Sequence, residues 1–591
     1  SCKMALLESF NRSNNRTVRN RISDAIAQIA SLVCQYEEWR ELMEFLVVSM
    51  SSTSASDDTI IALLRIITST PDLFSNQDSS ALSALLAVIN GVINVHPAVA
   101  VEAVQALSAL TIFFYPDEKR RNVFTLVITQ TVPSVVQMLS ATIDEKEDEL
   151  AQVLNCAADL VFECPRLFAG KKQEKNPLNE YVAMASALIR RLPEDKYEEE
   201  DKVASAALEF ICAAVEGNPA AFRRDRALLE ASSVLLLQVT GMESGTDEWL
   251  RTDPTDEDDN LSMSVLGQQS LDRFALALGG AVAGPIIFGH IGSLLNDSNG
   301  SWRSKYSALM AIASTAEGCA QDFLEDHLEG LLAIVWNCFI DPHPRVQYAS
   351  CHALGQLCTD FPGRIQKEFA HKALSALLSL LQRSQDARVQ CHASAALVNF
   401  AEDCEPEIIA PFLDGILSVL AGILATPSCP GYLKEQLIAT IGAYSGAAQS
   451  RFAGFFDRLL PLLVAGLDGS QTRKVQCRSV EALSLVLLAV KDSESIQGSF
   501  NSCLPGFLNH MTRLEESLGS CPADDPMREF LASAWLRMAQ LMGNRFAPYL
   551  PVILPSLIST AGSKINFTEL PEKDDGDEEV ENEYIPAARV N

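Results

Sequence analysis

The sequence predicts an all-α fold in which helix pairs stack into a solenoid, and three observations predict it. The chain has 591 residues, well beyond the roughly 250 to 300 at which a single hydrophobic core stops growing. Hydrophobic residues make up 48% of it but aromatic residues only 7%, a composition that suits closely packed helices. A two-helix unit also recurs along the chain with a nearly constant period.

The repeat is clearest in RVQYASCHALGQLCTD, which begins at Arg345, and in RVQCHASAALVNFAED, which begins at Arg388. In the first stretch the apolar residues recur at the three- and four-residue spacing of an amphipathic helix. Pro342 and Pro344 precede it, so the helix predicted at 323–339 must end before them and a new one begins. The unit is therefore helix, proline turn, helix.

Equivalent second helices begin near Trp302, Tyr432 and Lys474, which gives a period of about 42 to 44 residues. Weaker copies are present earlier in the chain, for instance at 17–33 and 202–216. This period, with two helices per unit, is typical of HEAT repeats. We expect about a dozen to fourteen pairs in a superhelix whose concave face is lined by the second helices.

The net charge of −30 favours basic partners and argues against direct nucleic-acid binding. Much of the acidic excess lies in short blocks that are typical of loops. The chain also begins and ends abruptly, so we expect an internal segment that lacks the extreme N-terminus and the C-terminal half of a longer protein. The predicted divisions are N-terminal HEAT repeats at 1–241, incomplete at the start, an acidic loop at 242–262, central repeats with a concave binding face at 263–568, and an acidic C-terminal segment at 569–591.

The sequence lacks the common motifs of enzyme active sites and metal sites. The sequence has no phosphate loop, nucleophile elbow, zinc-binding helix or dinucleotide fingerprint, and its glycine-rich stretch at 277–285 is better explained as a tight helix contact. The 15 cysteines are scattered without a C-x-x-C motif, which predicts reduced, mostly buried thiols. We therefore expect no enzyme activity, catalytic residue, cofactor or metal. No apolar run of 18 residues is free of polar ones, so we expect no membrane insertion.

Four motifs resemble the importin-beta superfamily, closest to its importin beta-3 (karyopherin-beta-3) branch: LDRFALALGG, WRSKYSALMAIASTAEGC, DPHPRVQYASCHALGQLCTDF and RVQCHASAALVNFAEDC. The resemblance spans at least 242–549. It implies a nuclear transport receptor that binds lysine-rich localisation signals of basic cargo such as ribosomal proteins and histones. It further implies release of the cargo by GTP-bound Ran, contacts with nucleoporin FG repeats, and shuttling between cytoplasm and nucleus. We expect a monomer.

The resemblance also implies a cargo-binding set near the ends of successive second helices. Two alternatives remain open: Asp360 could be the N-cap of the following helix, and Asn399 could belong to an internal ladder of hydrogen bonds. Independently of the family, the unpaired carbonyls at a helix C-terminus carry partial negative charge, so a carboxylate there is unfavourable until a lysine binds. The implied cargo-binding residues are Asp272, Glu317, Asp360, Asn399 and Glu402.

The acidic line stops in the next repeat, where Ala443 and Gly446 stand at the corresponding positions, and Glu481 is the next place where it could resume. By resemblance, the acidic loop is an insertion that contacts Ran or competes with cargo; its candidate residues are Asp253, Asp256, Glu257, Asp258 and Asp259. Two other functions remain open: a structural HEAT scaffold, and an acidic chaperone of basic proteins without a transport role.

Overall fold

The computed structural model of the chain describes residues 2–13, 15–33, 39–52, 55–169, 176–197, 200–251, 262–296, 301–320, 322–522 and 525–562. These residues form α-helices joined by short turns, 3-10 segments and one described π-helical turn at Val127–Thr131, and none of them lies in a strand. The all-α prediction is confirmed.

The helices in the first half of the chain are α1 Cys2–Arg12, α2 Arg16–Val33, α3 Arg40–Met50, α4 Asp57–Ser69, α5 Ser79–Val95, α6 Ala100–Phe114, α7 Glu118–Arg121, α8 Val132–Ser140, α9 Glu147–Glu163, α10 Pro177–Arg190, α11 Lys202–Gly217, α12 Pro219–Arg224, α13 Arg226–Thr240 and α14 Thr246–Arg251. Those in the second half are α15 Met263–Leu278, α16 Gly280–Asn296, α17 Trp302–Cys319, α18 Leu328–Cys338, α19 Pro344–Asp360, α20 Arg364–Arg383, α21 Ala387–Glu402, α22 Pro406–Ile409, α23 Leu413–Leu424, α24 Gly431–Ala448, α25 Phe456–Ala465, α26 Arg473–Val490, α27 Gln497–Ser517, α28 Met527–Met542 and α29 Leu550–Gly562.

The helices pack in pairs. The second helices are α2, α4, α6, α9, α11, α15, α17, α19, α21, α24, α26 and α28, and each packs on the first helix that precedes it. Successive second helices pack against one another far more extensively than successive first helices do. The more closely packed layer is the inside of a curved array, so the second helices line the concave face. Twelve pairs in the described chain agree with the predicted dozen to fourteen.

Small residues allow this close packing. The predicted tight contact at the glycine-rich stretch is confirmed, because a Cβ at Gly280 in α16 would lie only 2.8 Å from Cα of Cys319 at the end of α17. In α19, Ala349 and Ala353 are fully buried against the neighbouring helices. The described cysteines are free thiols, and most of them are buried in the same way.

The predicted helix at 323–339 begins later than expected. A 3-10 turn at Leu324–Asp326 precedes α18, which starts at Leu328. The ring of His327 stacks on Phe323, and its Nδ1 lies 2.8 Å from the carbonyl oxygen of Phe323. That carbonyl is the one that a helical N–H of His327 would use, and the backbone N–H bonds to Leu324 instead.

Three helical stretches are long and apolar enough to cross a membrane by length and composition: Pro97–Phe114, Glu118–Ser140 and Pro406–Leu424. All three lie within the helical stack, where 61%, 44% and 28% of the most apolar 18-residue window of each stretch is buried. The third is interrupted at Pro411, which lacks the N–H that would bond to residue 407. The absence of membrane insertion stays a prediction.

Candidate functional site

The site begins at the end of α19, where the local sequence sets the boundary. Pro362 disfavours a helical backbone at the residue before it, so Phe361 leaves the helix and Asp360 is its last residue. Gly363, with a φ of +74°, is the N-cap residue of α20. The carboxylate of Asp360 instead accepts hydrogen bonds from Nε2 of Gln356, at 3.1 Å to each oxygen. The N-cap alternative for Asp360 is therefore wrong.

Three of the predicted carboxylates form one electrostatic cluster. Asp272 lies on α15, Glu317 on α17 and Asp360 on α19, which are adjacent helices of the concave layer. The pKa of Asp360 is raised to about 6, chiefly by burial; the hydrogen bond from Gln356 opposes the rise, and the neighbouring carboxylates of Glu317 and Asp272 add to it. Such a raised pKa indicates negative charge concentrated in a place where it is poorly solvated.

Asn399 lies beside this cluster, half-buried on α21. A Cβ at Gly355 in α19 would lie 3.1 Å from Nδ2 of Asn399, so the missing side chain at Gly355 leaves room for the amide. Within the described chain this amide makes no hydrogen bond to a neighbouring repeat, which gives the ladder alternative no support. Glu402 is exposed at the end of α21, and its charge does not contribute to the pKa of Asp360.

Ion pairs bound the cluster on both sides. Toward the N-terminus, Arg273 on α15 holds two carboxylates of α11, Glu209 at 2.6 Å and Glu216 at 2.8 Å. Toward the C-terminus, Glu481 on α26 pairs with Arg478 at 2.8 Å. Glu209, Glu216 and Glu481 are thus already paired with arginines of the chain, and Glu481 does not resume a free acidic line.

The central carboxylates differ in this respect. No lysine or arginine in the described ranges forms a salt bridge with Glu317, Asp360 or Glu402. Each of the three stands in the last turn of its helix, where the helix dipole adds further negative potential. The concave face between α17 and α21 therefore offers negative charge that only an external cation could neutralise.

The acidic loop predicted at 242–262 requires a correction over its first part. Met242 and Glu243 are buried, and Thr246–Arg251 forms the short helix α14, which is docked on the second helices. Contacts with distant residues hold this segment in place, and the prediction from local composition did not include them. The candidate Ran-contact residues Asp253, Asp256, Glu257, Asp258 and Asp259 lie outside the described residues.

The docking partners of this segment were missed as functional residues. They include Arg303, Arg345 and Arg388, each the second residue of its helix in α17, α19 and α21. The sequence did carry a signal, because these arginines recur at the repeat period. That recurrence was used only to define the repeats.

The geometry defines a class of protein: a HEAT-repeat solenoid whose concave face carries Glu317, Asp360 and Glu402 without a salt bridge to a lysine or arginine of the described chain. Family models match along most of the chain, described as "IPO5-like, TPR repeats" over residues 14–174, "Importin repeat" over 197–285 and "HEAT-like repeat" over 302–357. The chain belongs to the importin-beta superfamily, as its motifs predicted.

Similar proteins agree with this. Importin subunit beta-3 of Saccharomyces cerevisiae is 28% identical over 95% of this chain and 49% of its own length, and a probable importin-5 homolog of Dictyostelium discoideum is 22% identical over 95% and 50%. A crystal structure of the karyopherin Kap121p bound to the extreme C-terminus of the protein phosphatase Cdc14p superposes with a TM-score of 0.80, at 27% identity, over 95% of this chain and 52% of that one. The chain spans about half the length of the curated relatives that it matches. These relatives are named as importins, not as enzymes.

Proposed function

We propose that this chain is the cargo-binding part of a nuclear transport receptor, and that it binds lysine-rich localisation signals on its concave face. Asp272, Glu317 and Asp360 supply the negative charge, Asn399 supplies an amide beside them, and Glu402 extends the surface. Basic proteins such as ribosomal proteins and histones are the cargo class whose chemistry fits. The receptor would shuttle between cytoplasm and nucleus.

The observation that carries the proposal is the raised pKa of Asp360, which lies near the carboxylates of Glu317 and Asp272 and forms no salt bridge with a lysine or arginine of the described chain. A bound lysine would neutralise the cluster and would also donate hydrogen bonds to the carbonyl oxygens at the helix C-terminus. Exposed ion pairs contribute only about 0.2 to 1 kcal/mol each. Useful affinity therefore requires several lysines that bind successive helices at once.

Structures of the similar karyopherin support a peptide-binding role. Kap121p has been crystallised bound to Cdc14p, Nup53p, Ulp1p, Pho4p and Ste12p. A receptor with several different partners suits a face on which charge, rather than a closed pocket, makes the contacts.

The test compares a synthetic peptide that carries several lysines with a matched peptide in which glutamine replaces them. The double variant Glu317→Gln with Asp360→Asn should lose most of the affinity for the lysine peptide. The matched control is Asp322→Asn with Asp403→Asn, because these exposed carboxylates lie just past the ends of α17 and α21 and change the net charge equally. Equal losses in both double variants would mean that net charge, not this cluster, binds the peptide.

GTP-bound Ran is the proposed release factor, and the acidic residues Asp253, Asp256, Glu257, Asp258 and Asp259 are the proposed contact or regulatory set. A pull-down with Ran loaded with GTP or GDP, performed on the full-length protein with lysine peptide bound, tests both. Release by the GTP form alone supports a transport receptor. Peptide binding that GTP-bound Ran leaves unchanged favours an acidic chaperone or a structural scaffold instead.

Nucleoporin FG repeats are the proposed partners of the outer face. A groove of about 790 Å³ lies between the first helices α3 and α5, lined by apolar side chains such as Met43, Val47 and Leu85. Val48 at its rim is 69% exposed. A phenylalanine side chain could fill such a groove. We expect Val48→Asp to weaken binding of an FG peptide and to leave binding of the lysine peptide unchanged.

A further inference from the structure

A segment of the chain crosses three repeats on the concave face. We name residues 242–251 the strap; they follow α13 and end with α14. Glu243 is buried, and its carboxylate accepts a hydrogen bond from the hydroxyl of Tyr306 at 2.8 Å and forms an ion pair with Arg345. Its backbone carbonyl accepts a hydrogen bond from Nε of Arg303 at 2.8 Å. Glu243 therefore links the beginnings of α17 and α19.

Trp249 links the next two helices. Its ring centroid lies 4.9 Å from the guanidinium carbon of Arg345 on α19 and 4.6 Å from that of Arg388 on α21. The ring meets Tyr348 edge-on at 5.3 Å, and the backbone carbonyl accepts a hydrogen bond from Nη1 of Arg388 at 2.6 Å. Arg345 and Arg388 are almost completely buried, so these cation–π contacts are shielded from water.

Thr246 makes a third connection, which joins the beginnings of α17 and α19. Its hydroxyl lies 3.2 Å from Nε2 of His343, whose ring stacks on Trp302 at 4.5 Å. The strap thus contacts the beginning of α17, the beginning of α19 and His343 just before α19. Trp249 extends these contacts to α21. A segment that only filled a surface loop would not make buried contacts with residues that lie up to 139 positions later in the chain.

The strap and the carboxylates lie on the same helices at opposite ends. Arg345 and Asp360 mark the two ends of α19, and Arg388 and Glu402 mark those of α21. Their separation is close to four helical turns, so each pair lies on the same face of its helix, about 20 Å apart. The strap therefore contacts one end of these helices, and the proposed binding carboxylates lie at the other end.

We propose that the strap is a positioning element, which fixes the mutual tilt of α17, α19 and α21 and thereby sets the spacing of Glu317, Asp360 and Glu402. Repeats of a solenoid contact only their neighbours, so small rotations between them are soft unless another element crosses them. A change of about 10° in the tilt of a helix about 20 Å long moves its end by about 3 Å. This displacement is comparable with the N–O distance over which an ion pair forms. The consequence for affinity rests on the proposed function; the consequence for geometry does not.

The principal test removes the aromatic link with Trp249→Ala. Spin labels attached through unnatural amino acids at Asp322 and Asp403, just past the ends of α17 and α21, report the distance between those ends by pulsed electron resonance. We expect the distance distribution to shift or broaden by about 2 Å or more, as a tilt change at the strap requires. We expect the affinity for the lysine peptide to fall by a factor of about five or more, the scale of coupling between distinct sites.

Two further variants separate positioning from general stability. Trp249→Phe keeps an aromatic face between the two guanidinium groups and should restore most of the affinity and the original distance. Trp336→Ala removes an indole from α18, on the outer side of the same repeat, where its ring neighbour is Phe339, and it should leave both readouts near the wild-type values. An unchanged distance distribution in Trp249→Ala would overturn the proposal.

The outcomes also separate this inference from the proposed function. If the distance changes in Trp249→Ala while the wild-type chain does not bind the lysine peptide, the strap positions the helices and the cargo assignment fails. If the wild-type chain binds the peptide and Trp249→Ala alters neither readout, the strap proposal fails alone. Should Trp249→Ala not fold, Arg388→Gln removes a single link of the strap, and an unchanged distance in that variant refutes the positioning role.

Discussion

Asp360 should lower the stability of the unliganded chain and raise its affinity for cargo. We therefore expect Asp360→Asn to raise stability and to lower affinity. The carboxylate is half-buried, close to two other carboxylates and without a cation, and its pKa is raised from 3.8 to about 6. Each pKa unit corresponds to about 1.4 kcal/mol, so the upper limit of the destabilisation at pH 7 is about 3 kcal/mol. Solvent screening at a partly exposed group reduces this, and we expect about 1 to 2 kcal/mol.

The sign with respect to pH follows from the direction of the shift. Because the folded chain binds this proton more tightly than the unfolded chain, ionised Asp360 destabilises the fold above pH 6. The stability difference between Asp360→Asn and the wild type should therefore be full above about pH 6, decline between about pH 6 and 4, and vanish below. The asparagine can still accept a hydrogen bond from Gln356, so the variant loses charge but not shape.

Hydrogen exchange is the appropriate assay, since repeat arrays do not unfold as one cooperative unit. Amides of α19 and α20 should exchange about tenfold more slowly in Asp360→Asn at pH 7, the factor that corresponds to 1.4 kcal/mol. Affinity for the lysine peptide should fall by about 2 kcal/mol or more, because a desolvated lysine loses its partner. Asp403→Asn, an exposed neighbour with the same change in charge, is the control. Faster exchange in Asp360→Asn, or unchanged affinity, would refute the reasoning.

Four other predictions follow from the same site and its surroundings. Asp360→Lys should keep or raise stability, because the new cation lies near Glu317 and Asp272, yet weaken peptide binding by about 2 to 5 kcal/mol in calorimetry; lower melting temperature with normal affinity would contradict it. Raising the salt concentration from low to physiological should weaken peptide binding strongly, and a salt-independent dissociation constant would rule out the electrostatic mechanism. Glu402→Gln should cost less than about 1 kcal/mol of binding, since this carboxylate is exposed, and a larger loss than in Asp360→Asn would invert the proposed ranking. Tyr444→Phe should keep or raise stability by up to about 1 kcal/mol in denaturant unfolding, because the buried hydroxyl has no hydrogen-bond partner among the described residues; a marked loss would mean that it has one.

The helix pairs could be predicted from sequence because they depend on local patterns, whereas the candidate binding residues on successive second helices came from the family resemblance. The 3.6-residue period, the proline turn before Arg345 and the repeat spacing each specify a helix pair without reference to distant residues. The same period places Glu317, Asp360 and Asn399 near the ends of neighbouring helices once the helices stack. Local rules also fix the end of α19, because Pro362 excludes a helical Phe361. The same rule excludes Asp360 as an N-cap, because an N-cap at that position would require a helical Phe361.

Only the tertiary structure decides which carboxylates are paired with a cation and how the first part of the acidic insertion is held. Whether a carboxylate is neutralised depends on which cations the other repeats bring near it: Arg478 reaches Glu481, and no arginine or lysine of the described chain reaches Asp360. Composition did not predict the strap, since most of its residues are polar and its anchor, Trp249, contacts Arg388 139 positions later in the chain. A sequence determines the periodic, nearest-neighbour part of a solenoid, whereas contacts that cross several repeats depend on the curvature of the whole stack.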